Sequence, residues 1–136
     1  MVQLVYGTKG SGKTKRLIAM ANEEVSSAAG TVVFIDDDNR YMYDVKHEIR
    51  FVNVKEYAID NADKLYGFIC GMCAQNFDIT AIYFDAFLHM IKAKVEDLEE
   101  FMTKLERLAD ENNFKAVLNV SADPETAPEF MKKHII

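Results

Sequence analysis

The chain has 136 residues, of which 49% are hydrophobic and 28% charged, and its formal net charge is -6 at pH 7. This length fits a single domain over residues 1–136 with its own hydrophobic core. The hydrophobic runs are much shorter than the roughly 18 to 20 residues that cross a bilayer, which argues against a membrane partner. The acidic balance and dispersed lysines and arginines argue against nucleic acid as a main partner.

Met1 is followed directly by residues typical of a strand, so we expect no export signal. Two cysteines in such a chain suit a reducing compartment. The sequence therefore predicts a cytoplasmic protein.

The first predicted strand, residues 2–6, leads into GTKGSGKT at residues 7–14, which fits the phosphate-binding loop pattern G-x-x-x-x-G-K-[ST]. Glycines permit turns in which successive backbone N–H groups point at one anion. Lys13 is placed to reach the β- and γ-phosphates of a nucleotide, and the Thr14 hydroxyl can ligate Mg²⁺. A helix predicted over residues 15–29 adds the positive end of its dipole. The predicted nucleotide-binding residues are Gly7, Thr8, Lys9, Gly10, Ser11, Gly12, Lys13 and Thr14.

Gly30 is predicted to end that helix in a left-handed conformation. An unbroken apolar run over residues 31–35 then indicates a strand that is covered on both faces, as in a parallel sheet. Asp36, Asp37 and Asp38 follow, where ligands sit in open α/β sheets. These carboxylates could bind Mg²⁺ or accept a proton from a substrate hydroxyl, or they could simply form a solvated turn.

Residues 40–46 are the only candidate for a short lid over a substrate, and residues 49–54 are predicted to form another strand. Asp60 or Asn61 could cap the helix that follows. A substrate lid would favour a kinase over a simple ATPase.

That helix contains a C-x-x-C pair, Cys70 and Cys73, with no second cysteine pair to complete a zinc site. We therefore predict two cysteines on a helix face rather than a metal centre. Gly67 and Gly71, four residues apart, would let the helix lie close against a neighbour.

Residues 78–85 predict a short apolar strand that ends in Asp85, the pattern of a Walker B element. A carboxylate belongs at that position because Mg²⁺ keeps several waters, and an aspartate can hold one of them near Thr14. In the additional-strand class of P-loop ATPases a glutamate commonly follows this aspartate, whereas here Ala86 follows. The catalytic base is therefore not identified, and the weak candidates are Asp36, Asp37, Asp38 and His89.

A clear amphipathic helix is predicted over residues 95–113, and a buried strand over residues 115–120. At the end of that strand Asn119 or Ser121 could sense a γ-phosphate, but the turn before Pro124 is the favoured role. A last helical turn over 129–133 and a short edge strand over 134–136 complete the prediction.

The loop, the alternating elements and the strand ending in Asp85 resemble a P-loop NTPase. The whole chain also resembles small stand-alone bacterial P-loop proteins, some of which are labelled twitching-motility ATPase-like. The true motility ATPases carry His and Asp boxes that have no match here, so this resemblance implies ATP binding alone. The resemblance to P-loop NTPases implies a three-layer α/β fold with a mainly parallel sheet of about five strands and helices on both faces. We expect Gly7, Asp36, Asp85 and Ser121 at one edge of that sheet.

The segments DITAIYFDAF, LERLADENN and AVLNVSAD are similar to the core of the thymidine kinase family. The chain departs from that family at Ala86, where the family has its catalytic glutamate, and it lacks the four-cysteine zinc lasso. Three functions remain open. The protein is expected to be a weak Mg²⁺-dependent ATPase or switch read by a protein partner, a small-molecule kinase, or a nucleotide-binding regulator without turnover.

Overall fold

Five parallel strands form the centre of the computed structural model, which describes all residues from 1 to 136. In chain order they are β1 Val2–Gly7, β2 Thr31–Asp36, β3 Arg50–Asn53, β4 Ile79–Phe84 and β5 Lys115–Ser121. Their order across the sheet is β1-β5-β4-β2-β3, and every neighbouring pair is parallel. The predicted mainly parallel sheet of about five strands is confirmed. One strand, β5, separates the strand before the glycine-rich loop from the strand before Asp85.

Five helices connect and cover these strands. They are α1 Lys13–Ser27, α2 Ala62–Gln75, α3 Phe87–Ile91, α4 Glu99–Asn112 and α5 Glu129–Lys132. Short 3-10 turns occupy Val54–Tyr57, Val95–Asp97 and Pro124–Thr126. The long predicted helix therefore begins at Glu99 rather than residue 95, because a separate 3-10 turn precedes it. None of the helices combines the length and the hydrophobicity that a membrane crossing requires.

The helices lie on both faces of the sheet, because successive side chains of a strand point to opposite sides. Val5, Phe34 and Tyr83 pack in one buried cluster with Leu17 of α1. Their strand neighbours pack in a larger cluster on the opposite face, which includes residues from α2, α3 and α4. The predicted three-layer arrangement is confirmed, with α1 alone on one face and most of the other helices on the other.

Two predictions about glycines are wrong. Gly30 does not follow α1 in a left-handed conformation, since α1 ends at Ser27 and its C-cap, Ala28, is extended. Gly30 is instead required by a close approach, because a Cβ atom there would lie 2.0 Å from the carbonyl oxygen of Asp78. Gly67 and Gly71 do not face a close neighbour, and a Cβ atom at either position would meet nothing within 4 Å.

The second long helix, α2, begins as one of the two predicted alternatives. The Asn61 side chain accepts a hydrogen bond of 2.8 Å from the backbone N–H of Lys64 and so caps the helix. Cys70 and Cys73 both lie in α2 and are free thiols, as the sequence predicted.

The chain end and the predicted lid are both attached to the body of the protein. The predicted edge strand is reduced to a single parallel bridge between Leu4 and Ile135. The segment over residues 40–46 is tied to α1, because the Asn22 side chain bonds the backbone of both Asp44 and Lys46. Val45 within it is buried.

Candidate functional site

The loop between β1 and α1 has the backbone that its glycines were expected to provide. Gly10 and Gly12 have φ angles of 83° and 85°, in the left-handed region that strains other residues. Gly12 is also the N-cap of α1 and offers no side-chain hydrogen bond to the first turn. The first N–H groups of α1 are therefore left available to an anion beside the loop.

Lys13 lies across the loop rather than away from it. Its ammonium donates a hydrogen bond of 2.9 Å to the backbone oxygen of Thr8, and the residue is buried. Burial lowers the pKa of Lys13, while the negative charge of Asp85 acts in the opposite direction. The side chain is thus already held at the loop that would receive the phosphates.

Thr14 and Asp85 are in direct contact although 71 residues separate them in sequence. The Thr14 hydroxyl donates to both carboxylate oxygens of Asp85, at 3.0 and 3.2 Å. The Asn119 amide also donates a hydrogen bond of 2.7 Å to Asp85 Oδ1. Asp85 is held at its position by its own N–H, which bonds the Ile35 oxygen at 2.8 Å. The structure therefore brings together the two residues predicted to hold the metal.

This group of oxygens fits the needs of Mg²⁺. Mg²⁺ binds oxygen atoms in an octahedron at about 2.1 Å, so that neighbouring ligands lie roughly 3 Å apart. The Thr14 hydroxyl, the predicted direct ligand, lies 3.0 and 3.2 Å from the Asp85 oxygens, so Asp85 is close enough to hold a metal-bound water beside it. Two further buried oxygens, Asn119 Oδ1 and Asp36 Oδ2, have no hydrogen-bond partner in the protein. Both atoms are free to form hydrogen bonds with the waters that Mg²⁺ retains.

The three successive aspartates after β2 have different partners. Their carboxylate oxygens lie within 4.8 Å of one another, close enough for one cation. Asp38, however, accepts hydrogen bonds from the backbone and the guanidinium of Arg40, at 2.8 and 3.4 Å. Asp37 contacts the imidazole of His89. Two of the three carboxylates therefore already have a donor, and only Asp36 has none from a side chain.

Asp36 is deeply buried, with an exposed fraction of 2%. Its Oδ1 accepts a hydrogen bond of 2.8 Å from the backbone N–H of Asp37. Burial raises the pKa of Asp36 to about 8, and the charge of Asp85 contributes to the same effect. The burial of Asp36 leaves its carboxyl group no access to an incoming molecule, which argues against it as the base.

Asp37 and His89 form a pair that links β2 to α3. His89 Nδ1 contacts Asp37 Oδ2, with the carboxylate buried and the imidazole 74% exposed. The chain reaches α3 through Ala86, whose φ of 52° lies in the left-handed region. This tight turn starts α3, which packs against β5 while its His89 side chain reaches Asp37 at the end of β2.

Sequence reasoning missed two of these contacts, those of Asn119 and of His89. The two-residue period of a strand was the available signal, because it places Asp36, Asp85 and Asn119 on the face that α1 covers. Asn119 lies two residues before the strand end, in register with Val5, whereas Ser121 is exposed. The sequence analysis favoured a role for Asn119 in the turn before Pro124. That prediction is wrong, because Asn119 is buried within β5.

The structure thus collects the glycine-rich loop, Lys13, Thr14, Asp85 and Asn119 on the α1 side of one sheet edge. It places Asp37 and His89 beside them. No protein-family model matches the chain, and no curated protein matches it significantly.

Proposed function

We propose that this protein binds a nucleoside triphosphate, ATP in the first instance, together with Mg²⁺. The backbone amides of residues 7–14 and the Lys13 ammonium would hold the β- and γ-phosphates. Thr14 would ligate Mg²⁺ directly, and Asp85 would hold one of its waters. When bound, the metal supplies positive charge to the phosphates.

The contact between Thr14 and Asp85 carries this proposal. A chance occurrence of the loop pattern gives no reason for its threonine to meet a carboxylate at the end of a different strand. Here the hydroxyl lies 3.0 Å from Asp85 Oδ1, and Asn119 binds the same oxygen. The strand order also supports it, because only β5 separates β1 from β4, so that the loop and Asp85 lie close together at one edge of the parallel sheet.

We propose further that the protein uses the nucleotide slowly, as a weak ATPase or a switch that a cytoplasmic protein partner reads. Ala86 cannot polarise water, and Asp36 is buried away from solvent. Without a partner, hydrolysis should therefore be about as slow as intrinsic Ras-type GTP hydrolysis, on the order of 10⁻⁴ per second.

Two other functions use the same site. A small-molecule kinase is favoured by the Asp37–His89 pair, which lies outside the glycine-rich loop, where β2 ends beside β4. A regulator without turnover is favoured by the absence of a glutamate at Ala86. Transfer of the γ-phosphate to an acceptor would identify the kinase. Binding with neither release nor transfer would identify the regulator.

Lys13→Ala tests the nucleotide proposal, with Lys15→Ala as its control. Both lysines lie in the first turn of α1, but only Lys13 is buried against the loop. At 100 times the dissociation constant, Mg²⁺-ATP should stabilise the wild type by about 2.7 kcal/mol. We expect Lys13→Ala to lose this stabilisation and Lys15→Ala to keep it, as measured by thermal unfolding with and without nucleotide. Full stabilisation of Lys13→Ala by Mg²⁺-ATP would show that the loop does not bind phosphate.

A further inference from the structure

The pair formed by Asp37 and His89 lies beyond Asp85 as seen from the loop. Asp37 follows β2, which is the next strand after β4 on the side away from β1. His89 belongs to α3, which begins two residues after Asp85. The pair therefore lies on the side of Asp85 away from the glycine-rich loop, where an acceptor of the γ-phosphoryl group could approach.

The two nitrogens of His89 have different surroundings. Nδ1 contacts the buried Asp37 carboxylate, whereas Nε2 has no hydrogen-bond partner in the protein and the ring is 74% exposed. A carboxylate at Nδ1 keeps a proton on that nitrogen, so that the lone pair of the neutral ring lies on Nε2. Nε2 is therefore free to accept a proton from a molecule at the sheet edge.

The other acidic groups at this edge are already engaged. The Asp38 carboxylate pairs with Arg40. Asp85 accepts hydrogen bonds from Thr14 and Asn119. Asp36 is 2% exposed and cannot reach an incoming molecule. Among the four candidate bases, His89 has by far the most exposed side chain, and its Nε2 has no hydrogen-bond partner in the protein.

We propose that His89 is the base for phosphoryl transfer in this protein and that Asp37 is its positioning residue. This inference rests on the proposed binding of Mg²⁺-ATP. His89 Nε2 takes the proton of an attacking O–H group as its oxygen forms a bond to the γ-phosphorus. The bond from that phosphorus to the bridging oxygen breaks, and ADP leaves with the electron pair.

The charge around His89 indicates which O–H compounds can approach. The carboxylates of Asp37, Asp38 and Asp85 surround this part of the edge, and Arg40 neutralises only one of them. An anionic acceptor would be repelled. The attacking group is therefore water or the hydroxyl of a neutral or cationic small molecule.

His89→Gln tests this role, and His47→Gln is the matched control. His47 is also exposed and also contacts a carboxylate through Nδ1, that of Glu48, but it lies outside the sheet edge. The rate of γ-phosphate release from labelled Mg²⁺-ATP should be measured in a single turnover, alone and with glycerol, ribose, ethanolamine or the anion glycerate. Affinity for Mg²⁺-ATP is measured in parallel.

We expect His89→Gln to lower the rate about 100-fold without changing the ATP affinity, and His47→Gln to leave both unchanged. Asp37→Asn should give a smaller loss of rate, again at unchanged affinity. Added imidazole should restore part of the rate of His89→Gly, which a purely structural histidine would not allow. Faster loss of the γ-phosphate from ATP with glycerol, ribose or ethanolamine, but not with glycerate, would identify a small-molecule acceptor. Release of the γ-phosphate at the same rate with or without these compounds would identify water as the acceptor.

The inference is overturned if His89→Gln turns over at the wild-type rate or if imidazole has no effect on His89→Gly. It is also overturned if the wild type binds Mg²⁺-ATP but neither releases nor transfers the γ-phosphate, and in that case the nucleotide-binding proposal stands. Failure of the wild type to bind Mg²⁺-ATP would instead refute the proposed function itself.

Discussion

Replacing Asp36 with asparagine should remove a large pH dependence from the stability of the protein. Asparagine has the same shape, and its Oδ1 can still accept the 2.8 Å hydrogen bond from the N–H of Asp37. The substitution therefore removes the titrating proton with little change in packing. The amide Nδ2 of asparagine would replace Asp36 Oδ2, a buried atom that has no hydrogen-bond partner in the protein.

The direction of the effect follows from where the proton binds. The unfolded chain has the ordinary pKa of 3.8 at Asp36, and in the folded protein burial and the charge of Asp85 raise it to about 8. The folded state thus binds the proton more tightly, so its stability is greatest below the ordinary pKa and falls as the pH rises toward 8. Each pH unit inside this window costs about 1.4 kcal/mol, which gives about 2 kcal/mol between pH 6 and pH 8. That loss is a substantial part of the roughly 5 to 15 kcal/mol that stabilises a typical domain.

Urea unfolding at pH 6 and pH 8 measures this quantity without nucleotide or metal. The wild type should lose about 2 kcal/mol more than Asp36→Asn between the two pH values, since all other titrating groups are shared. Asp38→Asn is the matched control because its carboxylate is partly exposed and paired with Arg40, and it should keep most of the wild-type dependence. If Asp36→Asn and the wild type show the same pH dependence, Asp36 does not hold a proton in the folded protein.

Two further predictions concern the metal and the glycines. Asp85→Asn should weaken ATP binding about tenfold more in Mg²⁺ than in EDTA, as measured by titration calorimetry, because it removes a charged hydrogen-bond acceptor for a metal-bound water. Asp78→Asn, at the exposed opposite end of the same strand, should change neither affinity, and equal losses for Asp85→Asn in both buffers would exclude a metal role. Gly71→Ala should stabilise the chain by about 0.5 to 1 kcal/mol in urea unfolding, because its Cβ atom meets nothing within 4 Å. Gly30→Ala should destabilise it, since its Cβ atom would lie 2.0 Å from the Asp78 oxygen, and a stable Gly30→Ala variant would contradict that close approach.

The parts of the fold that depend on local patterns were predictable from the sequence. Unbroken apolar runs such as residues 31–35 identified buried parallel strands, and Asn61 marked the start of α2. The contact of Thr14 with Asp85 was also foreseeable, because the rule for parallel sheets places both strand ends at one edge.

What the sequence did not show depends on the order of the strands. Asp37 and His89 meet only because β2 lies beside β4, and nothing in either segment alone specifies that pairing. The role of Gly30 likewise arises from a neighbouring backbone at Asp78, which a local pattern cannot reveal. Gly67 and Gly71 show the opposite error, since spacing suggested a packing role that the neighbouring elements do not supply.

The proposed Mg²⁺ site would account for the acidic edge of the sheet. Asp36 and Asp85 lie at the ends of neighbouring strands, and the charge of Asp85 adds to burial in raising the pKa of Asp36. A divalent cation held at Thr14 and Asp85 would oppose this effect, because it would favour the charged form of Asp36. Perturbed carboxylates of this kind are concentrated at functional sites. If the proposed function is right, the interaction that disfavours the charge of Asp36 in the free protein would therefore be relieved when Mg²⁺ and its phosphates bind at this edge.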